Sequence, residues 1–197
     1  MTVLERVGAA RDRLVLAGIE QGEAALDAEL LARHALGWDR ATYICRRRDP
    51  VPALFDQHYE TLVSRRARHE PMAIVTGQRE FWGLTFEVTT EVLTPRPETE
   101  LIVEEALVIV ADRRMNSVQL VDVGTGSGCL AVALAHELPR ARVTAIDVSA
   151  AALRVARHNA TTHGVEDRIM WVQSSCLDGL THNSAPVDLI VANLPYV

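Results

Sequence analysis

Three cysteines in 197 residues, Cys45, Cys129 and Cys176, are too few, too widely spaced and odd in number for a disulfide framework, and no Cys-x-x-Cys pair is present to hold zinc. They are expected to be reduced and mostly buried. No apolar run approaches the roughly 20 residues that span a bilayer, and Met1-Thr2-Val3-Leu4-Glu5-Arg6 lacks the basic-then-apolar layout of a signal peptide. A cytoplasmic protein with no membrane partner is expected. Positive charge is also short: 20 basic against 26 acidic side chains leave a net charge of −6, which opposes sequence-independent attraction to a phosphate backbone. Direct nucleic-acid binding is not expected. What is present is 48% hydrophobic residues, enough for one good core or two modest ones.

Composition divides the chain near Pro71. Over residues 1–70, Ala, Leu, Arg and Glu dominate, and apolar residues recur at helical spacing. Val3, Val7, Ala10 and Leu14 mark one helix; Leu26, Leu30, Leu31 and Ala35 mark a second, stopped by Gly37; Phe55, Tyr59, Leu62 and Val63 mark a third. The spacing predicts a small helical bundle. Arg46-Arg47-Arg48 and Arg65-Arg66-x-Arg68 can be read either as a solvated face or as contacts for an acidic or RNA-bearing partner. Residues 71–94 read as a β-hairpin connector, with Ala73-Ile74-Val75, Gly77 and the alternating run Phe81 to Val88. In Thr94-Pro95-Arg96-Pro97-Glu98-Thr99-Glu100, two prolines stiffen an extended backbone just before a helix from about Glu98 to Val110, as suits a pocket wall or a plain linker.

Residues 95–197 alternate strand and helix in the manner of an α/β sheet, with strands at Val118–Val123, Arg142–Asp147, Ile169–Gln173 and Leu189–Ala192. The short crossovers require the strands to be parallel. The first strand enters Asp122-Val123-Gly124-Thr125-Gly126-Ser127-Gly128, and a helix follows at once from Cys129 to Glu137. Glycines let backbone approach a ligand, and the helix N-terminus offers unpaired N–H groups, so Gly124, Thr125, Gly126 and Gly128 read as a cofactor loop. Its Gly-x-Gly-x-x-Ala spacing fits a dinucleotide equally well. Asp147, at the end of the second strand, suits the ribose hydroxyls of a bound adenosine or the cap of the next helix. Asp122 either orients the loop or faces the ammonium of a methionine moiety.

The fourth strand delivers Asn193-Leu194-Pro195-Tyr196 to the carboxyl edge of the sheet. A carboxamide there accepts a hydrogen bond from a planar –NH₂ group, and the Leu194 carbonyl accepts a second. Leu194 precedes Pro195 and is biased to extended geometry. Tyr196 is placed to pack on the planar group. Asn-x-Pro-Tyr in this position is a grip for a nitrogen about to be methylated.

With these motifs stand Glu70-Pro71-Met72-Ala73-Ile74-Val75-Thr76-Gly77, Glu80-Phe81-Trp82-Gly83-Leu84 and Leu93-Thr94-Pro95-Arg96-Pro97-Glu98-Thr99-Glu100. Together they resemble the release-factor glutamine methyltransferases, class I enzymes that use S-adenosyl-L-methionine, yield S-adenosyl-L-homocysteine, and methylate N5 of the glutamine in the Gly-Gly-Gln motif of peptide chain release factors. The resemblance implies an α/β fold in three parts: a helical substrate-recognition domain over 1–70, a β-hairpin linker over 71–94 and a Rossmann-like methyltransferase domain over 95–197. It implies that Asp122, Gly124, Thr125, Gly126, Gly128, Asp147, Ser175 and Asn193 bind the cofactor. Asn193, Leu194, Pro195, Tyr196 and Arg96 then hold the substrate, with Asn193, Pro195 and Tyr196 at the reacting amide. Leu194 stands where the family has a first proline. Gln173-Ser174-Ser175-Cys176 replaces a common acidic residue near the adenine, a loss that Ser175 or Asp178 can offset.

A nucleobase N-methyltransferase with the same grip, an oxidoreductase using NAD on the same loop, and an inactive fragment that only docks a release factor are the competing expectations. The last arises because such a sheet normally has seven strands and only four are legible, so an apolar sheet edge, low solubility and self-association are expected of the bare chain.

Overall fold

The computed structural model describes residues 1–178, 180 and 186–194, which fall into two compact units, Met1–Thr76 and Gly77–Val197. The hairpin therefore groups with the sheet that follows it. No helix among the described residues is long and apolar enough to cross a membrane.

The first unit holds α1 (Val3–Leu16), α2 (Gln21–Leu36), α3 (Arg40–Arg46), α4 (Phe55–Arg66) and the short α5 (Met72–Thr76). Thr2 and Glu5 start α1 by exchanging backbone and side-chain hydrogen bonds, and Gly37 ends α2 as the sequence predicts. The α2 face differs from the expectation. Leu26 is exposed and Leu30 only half-buried, while Ala24, Asp27, Ala28, Leu31 and Ala32 point inward. The charge at position 27 disguised that stripe, because buried Asp27 receives the Arg66 guanidinium at 2.6 Å, and the same guanidinium reaches Glu23. A buried charge is tolerated only when paired in this way.

Arg66 is thus neither solvated nor offered to a partner. Arg65 likewise folds inward, onto Glu70 and the carbonyls of Ile74 and Val75. These carbonyl bonds hold Ala73-Ile74-Val75 in the helical turn of α5 rather than in the strand that its β-branched residues suggest. Of the cysteines, only Cys129 is buried; Cys45 and Cys176 are exposed, contrary to expectation.

In the second unit β1 (Gln78–Phe81) and β2 (Leu84–Glu87) form an antiparallel hairpin around Trp82-Gly83, both with positive φ, the pairing that matches strand twist across a two-residue turn. The Trp82 conformation is held by its N–H, which donates to Glu100 at 2.8 Å, and by its indole N–H, which donates to Glu137 at 3.0 Å. A 3-10 turn (Pro97–Thr99) leads into α6 (Glu100–Asp112). Then β3 (Gln119–Val123), α7 (Cys129–Glu137), β4 (Arg142–Asp147), α8 (Ala150–Thr162), β5 (Ile169–Gln173) and β6 (Leu189–Ala192) complete the described elements.

The four later strands lie in the order β5-β4-β3-β6, all parallel, as the short crossovers require. From α7, every residue from Cys129 to Ala135 is buried, and Leu120, Val143, Ala145 and Val191 meet it from the sheet. The chain steps from β3 outward to β5, then returns to the opposite side of β3 for β6. This reversal opens a crevice at the carboxyl ends of β3 and β6, where α/β sheets bind ligands.

Candidate active site

Two adjoining cavities occupy that crevice. The larger, about 320 Å³, is lined by Glu91, Val92 and Leu93 of the segment after the hairpin, by Gly124 and Gly126, by Asp147, Val148 and Ser149, by Ser174, Ser175 and Cys176, and by Asn193 and Leu194. The smaller, about 40 Å³, reaches down to Asp122, Thr125, Ser127 and Thr99. Leu93, Gly124, Gly126 and Asn193 border both. Eight of the site residues singled out in the sequence, from Asp122 in β3 to Leu194 after β6, therefore converge on one crevice.

The glycine loop is tied back to the sheet: the N–H groups of Gly124 and Thr125 donate to the Ile146 carbonyl at 2.8 and 2.9 Å. Gly124 must lack a Cβ, because φ is +70° and a Cβ would sit 2.6 Å from Leu194 Cδ2. Leu194 thus packs its side chain on the loop. Gly128 has another role than lining a cavity: at φ +81° it starts α7, and a Cβ there would strike Ala156 of α8 at 2.9 Å. It lets two helices approach.

Asp147 ties the glycine loop to the entry of α8 and lines the larger cavity. Its Oδ2 accepts the Gly126 N–H and its Oδ1 accepts the Ser149 N–H, each at 2.9 Å, so it fixes the loop and the entry to α8 while still lining the cavity. Ser149 itself caps α8 through its hydroxyl. Asp122 is fully buried. Its Oδ2 accepts from the Thr125 hydroxyl at 2.6 Å and the Ala131 N–H at 3.2 Å, whereas its buried Oδ1 has no partner among the described residues. Burial pushes the carboxyl up to about 6; the two hydrogen bonds oppose this, and the nearby Asp147 charge adds to it. Cys129, buried beside Asp122, is pushed up to about 12, chiefly by the same loss of solvent.

Glu91 and Asp147 line the larger cavity and Asp122 the smaller, and no Arg, Lys or His lines either among the described residues. Such a site favours a cationic ligand, and a pyrophosphate there would meet only backbone N–H groups beside acidic side chains. The unpaired Asp122 oxygen, the negative lining and the Cβ-free approach at Gly124 fit the ammonium and sulfonium of S-adenosylmethionine better than a dinucleotide.

Asn193 is half-buried at the end of β6, and its Nδ2 donates to the Thr99 hydroxyl at 2.7 Å. Ser175 lines the cavity, whereas Asp178 is exposed and does not. Arg96 is exposed and borders neither cavity. Pro195 and Tyr196 lie outside the described residues.

Sequence reasoning missed Glu91 and Asn159, and it quoted Leu93 and Thr99 within a motif without assigning either to the site. The Asn159 amide is buried on α8 and bonds both the hairpin and the glycine loop. Its only sequence signal was a polar residue on an otherwise apolar helix face, at Ala152, Val155, Ala156, Asn159 and Ala160.

Residues 8–77 match the PrmC N-terminal domain, and residues 101–194 match the ribosomal protein L11 methyltransferase (PrmA) family. The release factor glutamine methyltransferase of Moorella thermoacetica is 38% identical across 100% of this chain and 68% of its own length, and that of Cereibacter sphaeroides is 39% identical across 100% and 67%. The chain belongs to the release factor glutamine methyltransferase family. It is also 52% identical to the family member from Burkholderia pseudomallei over 69% of this chain and 47% of that protein. The chain spans about half to two thirds of the length of the curated family members it matches. Among solved structures, the N-terminal domain of human METTL16 superposes with a TM-score of 0.52 at 18% identity, covering 84% of this chain and 64% of that one. A second structure of that domain, in complex with SAH, gives 0.50 at 18% identity over 73% and 55%. At that identity the likeness concerns the fold alone.

Proposed function

We propose that this protein transfers a methyl group from S-adenosylmethionine to N5 of the glutamine in the Gly-Gly-Gln motif of peptide chain release factors, in the cytoplasm and in support of translation termination. The observation that carries the reading is Asn193, held by Thr99 at the carboxyl end of β6 and bordering both cavities. The names of the relatives support a release factor as substrate, and the position of Asn193 supports an amide as the group it holds.

The residues divide the work. Asp147 lies where ribose hydroxyls would be met, and its oxygens keep acceptor capacity beyond the two backbone N–H groups they already take. Asp122 presents its unpaired oxygen to an ammonium, and Gly124 and Gly126 give backbone clearance. When bound, S-adenosylmethionine supplies an electrophilic methyl carbon on a sulfonium. Against it, Asn193 Oδ1 and the Leu194 carbonyl accept the two N–H groups of the glutamine amide. Those bonds orient the nitrogen lone pair and raise its electron density, and they let the proton leave late. No strong base is required, because positioning alone is worth roughly 7–11 kcal/mol.

Incubating the full-length protein with labelled S-adenosylmethionine and a Gly-Gly-Gln release factor tests the reading. One methyl on that glutamine, located by fragmentation mass spectrometry, is the expected result. Label entering nucleic acid but not the release factor would replace the substrate with a nucleobase.

A further inference from the structure

The segment Thr94–Glu100 ends on Thr99, which is 4% exposed at the close of the 3-10 turn and just before α6. Thr99 is set in place from its own side: Pro97 opens the turn with its own φ fixed by the ring, the Thr99 N–H donates to the Arg96 carbonyl at 3.0 Å, and a β-branched side chain has few rotamers. Its hydroxyl oxygen lies 2.7 Å from Asn193 Nδ2, across 94 residues of sequence.

The last torsion of an asparagine is broad and roughly two-fold, so a carboxamide at the end of a strand needs a neighbour to hold its plane. We infer that Thr99 is a positioning residue for Asn193, gripping the nitrogen end of the carboxamide so that the oxygen end is the one turned to the substrate. The inference rests on the proposed glutamine methylation.

The two ends are then complementary. The substrate –NH₂ brings N–H donors to Asn193 and demands Oδ1, while the hydroxyl opposite accepts one of the two Nδ2 protons. Valine, with the same shape and no hydroxyl, leaves that N–H without its acceptor and the amide plane free to turn. This gives the stiff Pro95-Arg96-Pro97 wall a purpose: it delivers one hydroxyl to one amide.

The test uses the full-length protein, a Gly-Gly-Gln release factor and single-turnover methylation. Thr99→Val should lower the methylation rate about tenfold, with affinity for S-adenosylhomocysteine by calorimetry and the melting temperature unchanged, and Thr99→Ser should restore the rate. A Thr99→Val rate within about twofold of the parent overturns the inference. So does a loss of S-adenosylhomocysteine affinity or of melting temperature that parallels the rate, because Thr99 would then serve the fold. Asn193→Ala separates the two levels: undiminished methylation by that variant removes the proposed function itself, whereas its loss beside an unaffected Thr99→Val removes only the role of Thr99.

Discussion

Asn159 and Glu87 exchange two hydrogen bonds across 72 residues: the Glu87 N–H donates to Asn159 Oδ1 at 2.8 Å, and Asn159 Nδ2 donates back to the Glu87 carbonyl at 3.1 Å. The same Nδ2 donates to the Ser127 carbonyl at 2.9 Å. One buried amide therefore sews the β1–β2 hairpin to the glycine loop.

Removing it leaves a hairpin N–H and two carbonyls without their partner. Asn159→Ala is expected to cost about 2–4 kcal/mol in urea unfolding followed at the second unit. Asn159→Asp keeps the acceptor but loses both donated bonds and should fall at least as far at neutral pH.

Asp122 makes stability depend on pH in an unusual direction. Its carboxyl is raised in the fold to about 6 from an ordinary 3.8, so between these values the folded state holds a proton that the unfolded chain has released. That contribution is complete below about pH 4 and is lost as pH rises towards 6, by up to about 3 kcal/mol. Asp122→Asn cannot ionise. The stability difference, variant minus parent, should therefore grow between pH 4 and 6 and level off above, in paired urea titrations. A difference that is flat across that window contradicts the burial argument. The variant should also bind S-adenosylhomocysteine more weakly, since it offers an ammonium no charge.

Gly128 carries a packing demand. Gly128→Ala places a methyl at φ +81° against Ala156, and left-handed strain of about 1–2 kcal/mol adds to overpacking of about 1–3 kcal/mol. A lower melting temperature is expected, and Ala156→Gly in the same chain should recover only a small share of the loss, because the Ala156 Cα and carbonyl oxygen would still lie 3.0 and 3.3 Å from the new methyl.

The parallel strands, the helix at Cys129–Glu137 and the order of glycine loop, Asp147 and Asn193 could be read from sequence because each is local: apolar runs of strand length, punctuated by glycine and closed by a polar residue at the sheet edge. What escaped was set by distant partners. The α2 face was misread because Asp27 becomes a core residue only when Arg66, 39 positions on, supplies the opposite charge. Ala73-Ile74-Val75 has β-branched character, yet Arg65 claims its carbonyls and it coils. Thr99 and Asn159 lie 94 and 72 residues from what they bind, and their own neighbourhoods do not name those partners.

The central claim is that the Asn193 carboxamide holds the amide to be methylated, and Asn193→Ala in the full-length protein tests it most directly. With a Gly-Gly-Gln release factor and S-adenosylmethionine, methylation of the glutamine, read by mass spectrometry, should be abolished while S-adenosylhomocysteine affinity changes little. Methylation at close to the parent rate would contradict the account.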